Sequence, residues 1–356
     1  MAREFRTLTV ARVDRLTADA AAITFAVPPA LRAEFAFRPG QSLTVRRPGS
    51  DERRSYSICA RAGDPLRIGV REVAGGVVSG WLVRAVRPGD RVEILPPSGS
   101  FTPDLSRGGE HVLIAAGSGI TPVLSIASSL LSAGAGATVT LLYGNRRADT
   151  VMFADEVSDL KDAYPARVRL VHVLSREPRE VELFSGRLDA AKLRVLVPAV
   201  LGDGAQGTGV REVTGWWLCG PLPMTEDATA VLRELGVPGP LIHRELFYVE
   251  DQAPEIVRHE DNRVTGAEAT VILDGRKTSV AVPAGSAILD AAQRVRSDLP
   301  FACKGGVCGT CRARLVAGEA RMRRNYALER SEVDAGYVLT CQATPVSDSV
   351  TVDYDA

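Results

Sequence analysis

The first hundred residues alternate between apolar and polar positions. The segments TLTVARV, AAITFAV, SLTVRRP, RRSYSICA, LRIGVREV and RVEILPP are short and rich in β-branched side chains. A period near two places one face of a strand on a core. Pro/Gly turns such as Arg38-Pro39-Gly40, Arg87-Pro88-Gly89-Asp90 and Pro97-Ser98-Gly99 separate them. Many short strands with frequent turns predict a closed antiparallel β-barrel over residues 1–103. From 104 to 247 the rhythm changes. Apolar runs (HVLIAA, TVTLLYG, RVRLVHVLS, GWWLCG) alternate with helical segments (TPVLSIASSLLSAG, TVMFADEVSDLKDAY, PMTEDATAVLRELG). That alternation predicts an α/β domain with a parallel sheet, with Gly236 ending its last helix. Residues 248–267 carry many charges and little apolar periodicity, which predicts a linker. In 268–356, two alternating strands flank Asp274-Gly275, a hairpin signal. The amphipathic SAILDAAQRVR follows with Ser286 as expected N-cap, then a cysteine loop and two further strands. This order predicts an α+β β-grasp domain, making the chain multidomain.

Length and composition are compatible with that division. The 356 residues are 45% hydrophobic and 24% charged, ordinary for globular domains. Lys+Arg and Asp+Glu are equal at 43 each, so no net field favours nucleic acid or an anionic membrane. No apolar run approaches the roughly 18 residues of a membrane-spanning helix. The N-terminus MAREFRTLTVARV lacks the apolar stretch of an export signal. A cytoplasmic location with reduced thiols is therefore expected for the six cysteines.

Four of those cysteines carry the strongest chemical signal. CKGGVCGTC followed by VLTCQA places Cys303, Cys308 and Cys311 at C-x4-C-x2-C, with Cys341 distant. This is the ligand spacing of a plant-type 2Fe-2S cluster, in which each iron takes two thiolates. Gly305, Gly306 and Gly309 permit the loop to bend around the sulfur atoms. A zinc site usually pairs two CxxC or CxxH units, and only one CxxC is present. The remaining Cys59 and Cys219 read as small buried hydrophobes, or for Cys219 as a wall beside a cofactor.

Two motif sets point to further cofactors, and each alone has a plain structural alternative. Arg54-Ser55-Tyr56-Ser57 ends a strand, and Gly75-Gly76-Val77-Val78-Ser79-Gly80 joins free backbone donors to a hydroxyl. Such a run suits a phosphate or pyrophosphate, but the two could also be an ordinary strand and loop. After HVLIAA comes Gly117-Ser118-Gly119-Ile120-Thr121-Pro122, a glycine turn with a helix expected from Pro122. A helix N-terminus behind such a turn binds phosphate, although an ordinary βα turn has the same look. Tyr143-Gly144-Asn145-Arg146, Ser175-Arg176 and Cys219-Gly220-Pro221 lie at strand ends, where open parallel sheets bind ligands.

Together these residues resemble the ferredoxin–NADP reductase family over residues 1–247. The resemblance implies a flavin barrel and a nicotinamide domain. It implies that Arg54 contacts the flavin phosphate, that Tyr56 and Ser57 contact its ring, and that Gly76, Val77, Val78 and Ser79 line its pyrophosphate. FAD is expected over FMN. Gly117, Gly119, Thr121 and Pro122 are the expected turn for the pyridine nucleotide, with Cys219 and Gly220 beside the nicotinamide. Ser175 and Arg176 resemble a 2′-phosphate site and favour NADPH over NADH, with Arg146 and Arg147 as candidate helpers or plain solvated arginines, though Glu177 would suit ribose hydroxyls. In His243-Arg244-Glu245-Leu246-Phe247, Phe247 is the candidate to cover the flavin, with core packing an equal alternative. His111, His172 and His259 are expected to have ordinary roles.

The order flavin barrel, nicotinamide domain, C-terminal ferredoxin resembles reductase components of oxygenases. The stretch from CKGGVC to LTCQA is most similar to reductase subunits of phenylacetyl-CoA epoxidases. That resemblance implies an oxidoreductase delivering electrons from NADPH through FAD and a 2Fe-2S cluster to a multicomponent di-iron oxygenase, without an acid–base or nucleophilic catalytic residue. A reductase of steroid 9α-hydroxylases is the nearest alternative. A stand-alone NAD(P)H oxidase or quinone reductase, and a redox sensor, are more remote.

Overall fold

The computed structural model describes residues 4–50, 52–202, 209–247, 266–296, 298–301, 303–328 and 330–356. The expected linker lies outside the described residues as far as 265, and Ala267 already opens a strand. The chain divides by packing into two compact units, Phe5–Glu245 and Leu246–Ala356.

The first unit begins with β1 (Arg6–Thr17), β2 (Ala20–Ala26), β3 (Ser42–Arg46), β4 (Arg53–Ser57), β5 (Arg67–Arg71), helix α1 (Val77–Arg84) and β6 (Arg91–Ile94). The strands pair antiparallel in the order β4-β3-β6-β1-β2-β5. An Ile58–Ile68 bridge, with Cys59 N donating to Arg67 O at 2.9 Å, joins the two outer strands and closes the barrel. Leu8, Ile23, Phe25, Leu43, Ile68 and Ile94 fill the interior, the apolar set of the period-two pattern. Helix α1 is a departure from expectation. GGVVSG reads as a loop, but Gly76 is an N-cap without a capping side chain and the helix seats Leu82 and Val83 on the barrel core.

The unit continues with β7 (Gly109–Ala116), α2 (Ile120–Ser132), β8 (Ala137–Asn145), α3 (Ala154–Ala163), β9 (Val168–Leu174), α4 (Ala190–Leu201), β10 (Gly215–Cys219), α5 (Leu222–Glu234) and β11 (Ile242–Glu245). The sheet is wholly parallel, in the order β11-β10-β7-β8-β9. The chain winds outward from β7 to β9, then returns to the other side of β7 at β10. The switch point therefore lies between the C-terminal ends of β7 and β10, where such sheets bind ligands. Gly236 has φ +84° behind α5, as a helix-ending glycine requires. Helix α3 starts late because Phe153 takes a left-handed φ of 57°.

Barrel and parallel sheet are tied together within this unit. Ser125 Oγ donates to Ala60 O at 2.6 Å, and Arg67 pairs with Glu156 at 3.2 Å. Gly69 lies against Thr121 and the Phe153 ring, so that a Cβ there would sit 2.9 Å from the ring.

The second unit contains β12 (Ala267–Leu273), β13 (Arg276–Val282), α6 (Ile288–Ala292), β14 (Arg312–Ala317), β15 (Ala320–Met322), α7 (Arg330–Asp334), β16 (Tyr337–Leu339), β17 (Ala343–Pro345) and β18 (Ser349–Asp353). The main sheet runs β13-β12-β18-β14-β16, with β12 and β18 parallel, a β-grasp order. Asp274 and Gly275 have φ of 54° and 69°, the double left-handed turn that twists with a hairpin. The Asp355 carboxylate accepts from both turn N–H groups at 2.8 and 2.9 Å. Ser286 is not the N-cap of α6. Its N–H closes a turn on Pro283 O, and the helix starts behind Ala287.

Candidate electron-transfer sites

In the first unit the barrel supplies β4. Arg54 is half exposed, its guanidinium on Glu52 at 2.9 Å and Arg53 O at 2.8 Å. Tyr56 is half-buried, and desolvation pushes its phenol well above the usual range. In α1, which packs on β5 and β2, the first-turn N–H groups at Val77, Val78 and Ser79 have no acceptor inside the helix. The Ser79 hydroxyl turns inward, accepting from Val73 N at 3.1 Å and donating to Gly76 O at 3.4 Å. It shapes the turn and offers no hydroxyl outward, so the backbone donors of Val77 and Val78 are the polar groups left at this helix start. Beside them a cavity of about 270 Å³ is lined by Arg47, Ser50, Val77, Val78 and Trp81. A cation, a hydroxyl, an aromatic ring and a helix N-terminus suit a phosphate with a base attached.

At the switch point, the helix begins at Ile120 rather than Pro122, because Gly117-Ser118-Gly119 already forms a helical turn. The tight turn is over-determined. Tyr143 Oη donates to Gly117 O at 3.1 Å, Thr121 Oγ1 to Ser118 O at 2.9 Å, and Gly117 holds φ +54°. Gly119 packs on the Cys219 carbonyl with no room for a Cβ. Thr121 and Pro122 are buried and support the turn from behind. Arg71, absent from the expected set, reaches across from the barrel. Its Nη2 donates to Thr150 O at 2.6 Å, and its Nη1 lies 3.3 Å from where a Cβ on Gly117 would stand. At the far ends of β8 and β9, Ser175 N donates to Asn145 O and Arg176 N to Arg146 O. This brings Ser175 together with two exposed guanidinium side chains, Arg146 and Arg176. Glu177 accepts from Ala148 N at 2.9 Å, which commits one carboxylate oxygen to the loop.

The barrel and the parallel sheet meet at a second residue that sequence reasoning missed. Ser57 Oγ donates to Glu245 Oε2 at 3.3 Å, and Glu245 stands opposite Cys219 in the β10–β11 register. Glu245 keeps partial solvent contact, yet the protein around its carboxyl pushes its pKa up to about 8, a rise the Ser57 hydrogen bond opposes. Burial likewise raises the Cys219 thiol, so it is no thiolate nucleophile. Trp217 stacks on His243 at 4.2 Å and meets the Phe101 edge at 5.3 Å; by alternation Trp217 and His243 share the face of Cys219 and Glu245. His111 contacts Trp217 Nε1 at 3.4 Å, His172 lies beside Tyr143, and Cys59 is core. Phe247 groups with the second unit, and His259 lies outside the described residues.

In the second unit the four cysteines converge as two pairs. Cys303 shares a hydrogen bond with Cys308, and Cys311 with Cys341. Lys304, Gly306 and Gly309 all have positive φ, at 52°, 80° and 64°. The loop so formed turns Gly305 N–H onto Cys303 Sγ at 3.3 Å. The bond from Cys308, helped by the N–H groups of Gly305, Val307 and Cys308, holds the Cys303 thiol well below the usual thiol range. Thr340 donates its N–H and hydroxyl to Cys311 O at 3.1 and 3.0 Å, and is held by Tyr354 Oη at 2.6 Å. Among the described residues no three His, Cys, Asp or Glu side chains converge on one ion. Two thiol pairs with backbone N–H groups aimed at sulfur fit a binuclear iron–sulfur cluster.

A closed barrel, a parallel sheet with its glycine turn at the switch point, and a β-grasp unit with paired thiols define the class: a flavin-type pyridine-nucleotide reductase carrying its own 2Fe-2S domain. Residues 113–230 match the oxidoreductase NAD-binding domain and 271–346 the 2Fe-2S iron–sulfur cluster binding domain. The chain is 40% identical to a subunit of 1,2-phenylacetyl-CoA epoxidase from Escherichia coli K12, covering 99% of this chain and 98% of that one. It is 34% identical to the ferredoxin reductase component of 3-ketosteroid-9-alpha-monooxygenase from Rhodococcus rhodochrous, over 98% and 96%. Phthalate dioxygenase reductase shares the fold at TM-score 0.57 and 24% identity, covering 98% of both chains. The chain belongs to the family of flavin and iron–sulfur reductase components of oxygenases. Among the described residues no helix is long and apolar enough to cross a membrane.

Proposed function

We propose that this protein takes electrons from NADPH on FAD and delivers them singly, through the 2Fe-2S cluster, to a di-iron oxygenase complex that epoxidises the ring of phenylacetyl-CoA. The observation that carries the acceptor is the near full-length relationship to the epoxidase component at 40% identity. FAD, when bound, accepts an electron pair and releases electrons one at a time, which is why it stands between a two-electron donor and a one-electron cluster. The residues of the chain bind and orient. Arg54, Tyr56, Ser57 and the backbone of Gly76, Val77, Val78 and Ser79 hold the flavin. The cavity beside Val77 and Trp81 supplies room for an adenosine half and favours FAD over FMN.

Gly117, Gly119 and the start of α2 hold the nucleotide diphosphate, with Thr121 and Pro122 behind them. Arg71 closes over the turn from the barrel. Ser175, Arg176 and Arg146 form a cationic end for a 2′-phosphate, which supports NADPH over NADH; a guanidinium fork matches that group. Cys219 and Gly220 form the wall for the nicotinamide, and Glu245 holds Ser57 beside it. Cys303, Cys308, Cys311 and Cys341 hold the cluster. The reduced thiols fit a cytoplasmic setting.

Anaerobic titration with NADPH and with NADH, chromatography of the released flavin, and reoxidation by the purified epoxidase complex test this reading. NADPH preference, released FAD and reoxidation by the epoxidase are expected. Released FMN or a preference for NADH would sink the corresponding assignment. Reoxidation by a steroid monooxygenase but not by the epoxidase would move the protein to the other branch of its relatives.

A further inference from the structure

Gln342 follows Cys341 in sequence and is 6% exposed. Its main chain is pinned on both sides, N–H to Leu339 O at 2.8 Å and C=O from Arg323 N at 3.0 Å. Its side chain then reaches back to the other cysteine segment. Nε2 donates to Lys304 O at 2.7 Å and lies 3.6 Å from Cys341 Sγ. The amide orientation is fixed chemically, because a carbonyl oxygen only accepts. Cγ fills the space in front of Gly306, 3.1 Å from where a Cβ would stand.

The Lys304 carbonyl and the Gly305 N–H are two ends of one peptide. Gln342 grips the oxygen end, and the nitrogen end points at Cys303 Sγ at 3.3 Å. That peptide follows a lysine in the left-handed region, φ 52°, a conformation costing a non-glycine residue about 1–2 kcal/mol. It needs an outside hold, and Gln342 supplies one. A single buried amide thus acts on one sulfur of each thiol pair: directly at Cys341, and through the Lys304–Gly305 peptide at Cys303.

We propose that Gln342 is a positioning residue that raises the reduction potential of the cluster, resting on the four-cysteine assignment above. Reduction of a 2Fe-2S cluster adds one electron, here supplied by the reduced flavin, with no bond made or broken. The reduced cluster is more negative, so N–H groups directed at its thiolates stabilise it more than the oxidised form.

The test uses the full-length holoprotein with Gln342→Met, which keeps the volume, and Gln342→Glu, which keeps the shape. The cluster potential is read by redox titration followed by EPR of the reduced cluster, and flavin reduction by NADPH is read by stopped flow. Gln342→Met is expected to make cluster reduction about tenfold less favourable at equilibrium, which is 59 mV for a one-electron couple. Gln342→Glu should lower it further, because a carboxylate replaces a donor with a charge. Both should shift the EPR signal and leave flavin reduction by NADPH unchanged. A Gln342→Met protein with a full cluster and an unchanged potential would overturn the proposal. So would loss of the cluster from both variants, which would make Gln342 an assembly residue instead. A native protein without a 2Fe-2S signal sinks the four-cysteine assignment, and this proposal with it.

Discussion

Ser57 Oγ lies 3.3 Å from Glu245 Oε2, a hydrogen bond that spans 188 residues and joins β4 of the barrel to the last strand of the parallel sheet. The carboxyl is displaced from 4.5 to about 8, chiefly by desolvation. An acid whose folded pKa is raised holds its proton in the native state while the unfolded chain has lost it. Its contribution is complete below the unfolded value and fades as pH rises through the folded one. Glu245 should therefore cost the native protein thermal stability as pH rises from about 4.5 to about 8. Glu245→Gln, which cannot ionise, should lose less over that range. Tm measured against pH for both proteins isolates the effect, and superimposable slopes would remove Glu245 as its source.

Arg176 and Arg71 should separate two parts of nucleotide recognition. A charge-assisted hydrogen bond contributes roughly 1.5–3 kcal/mol. Arg176→Ala is expected to raise KM for NADPH on the order of 10–100-fold while leaving NADH nearly unaffected, since NADH has no 2′-phosphate. Arg71→Ala should weaken both nucleotides alike, because the diphosphate is common to them. Steady-state kinetics with both donors decides. Equal losses with Arg176→Ala would remove it from the 2′-phosphate site.

Gly119→Ala probes the switch point. The added methyl meets the Cys219 carbonyl, which belongs to a central strand and cannot swing aside. Forcing an atom into a packed site costs about 1–3 kcal/mol, and the displaced turn is the one expected to face the nucleotide. Flavin reduction by NADPH should fall at least about tenfold, with flavin and cluster both retained by absorbance. Native rates in this variant would mean that the turn is not used.

Local chemistry explains what was legible before the structure. The cysteine spacing, the Asp274-Gly275 turn and the glycine turn after β7 each depend on residues within a short window, so their residues name them. The barrel and parallel sheet were visible in the change of apolar period near residue 104. Helix α1 was hidden because its N-cap is Gly76, which has no side chain to signal a cap, and because two valines beside glycines read as a loop. Glu245, Arg71 and Gln342 were hidden for a different reason. Each gains its role from a partner far along the chain (Ser57, Gly117 and Lys304), and no window contains both ends. Ser79 differs: its partners Val73 and Gly76 are near in sequence, but its hydroxyl turns inward only because the segment folds into α1, the helix that Gly76 leaves unsignalled.

Cys308→Ser separates the flavin half of the relay from the cluster half. Cys308 pairs with Cys303, so losing its sulfur removes one of the two protein ligands expected at one iron. Apart from Phe247, the residues proposed for flavin and nucleotide lie in Phe5–Glu245, the other packing unit. Reduction of the flavin by NADPH should therefore continue at the native rate in stopped flow. The broad cluster absorbance should be lost or greatly changed, and electron delivery to the oxygenase should fall to background. If the variant reduced its oxygenase at the normal rate, the cluster would not be the exit for electrons. If flavin reduction failed as well, the two units would not be separable in the way their independent cores imply.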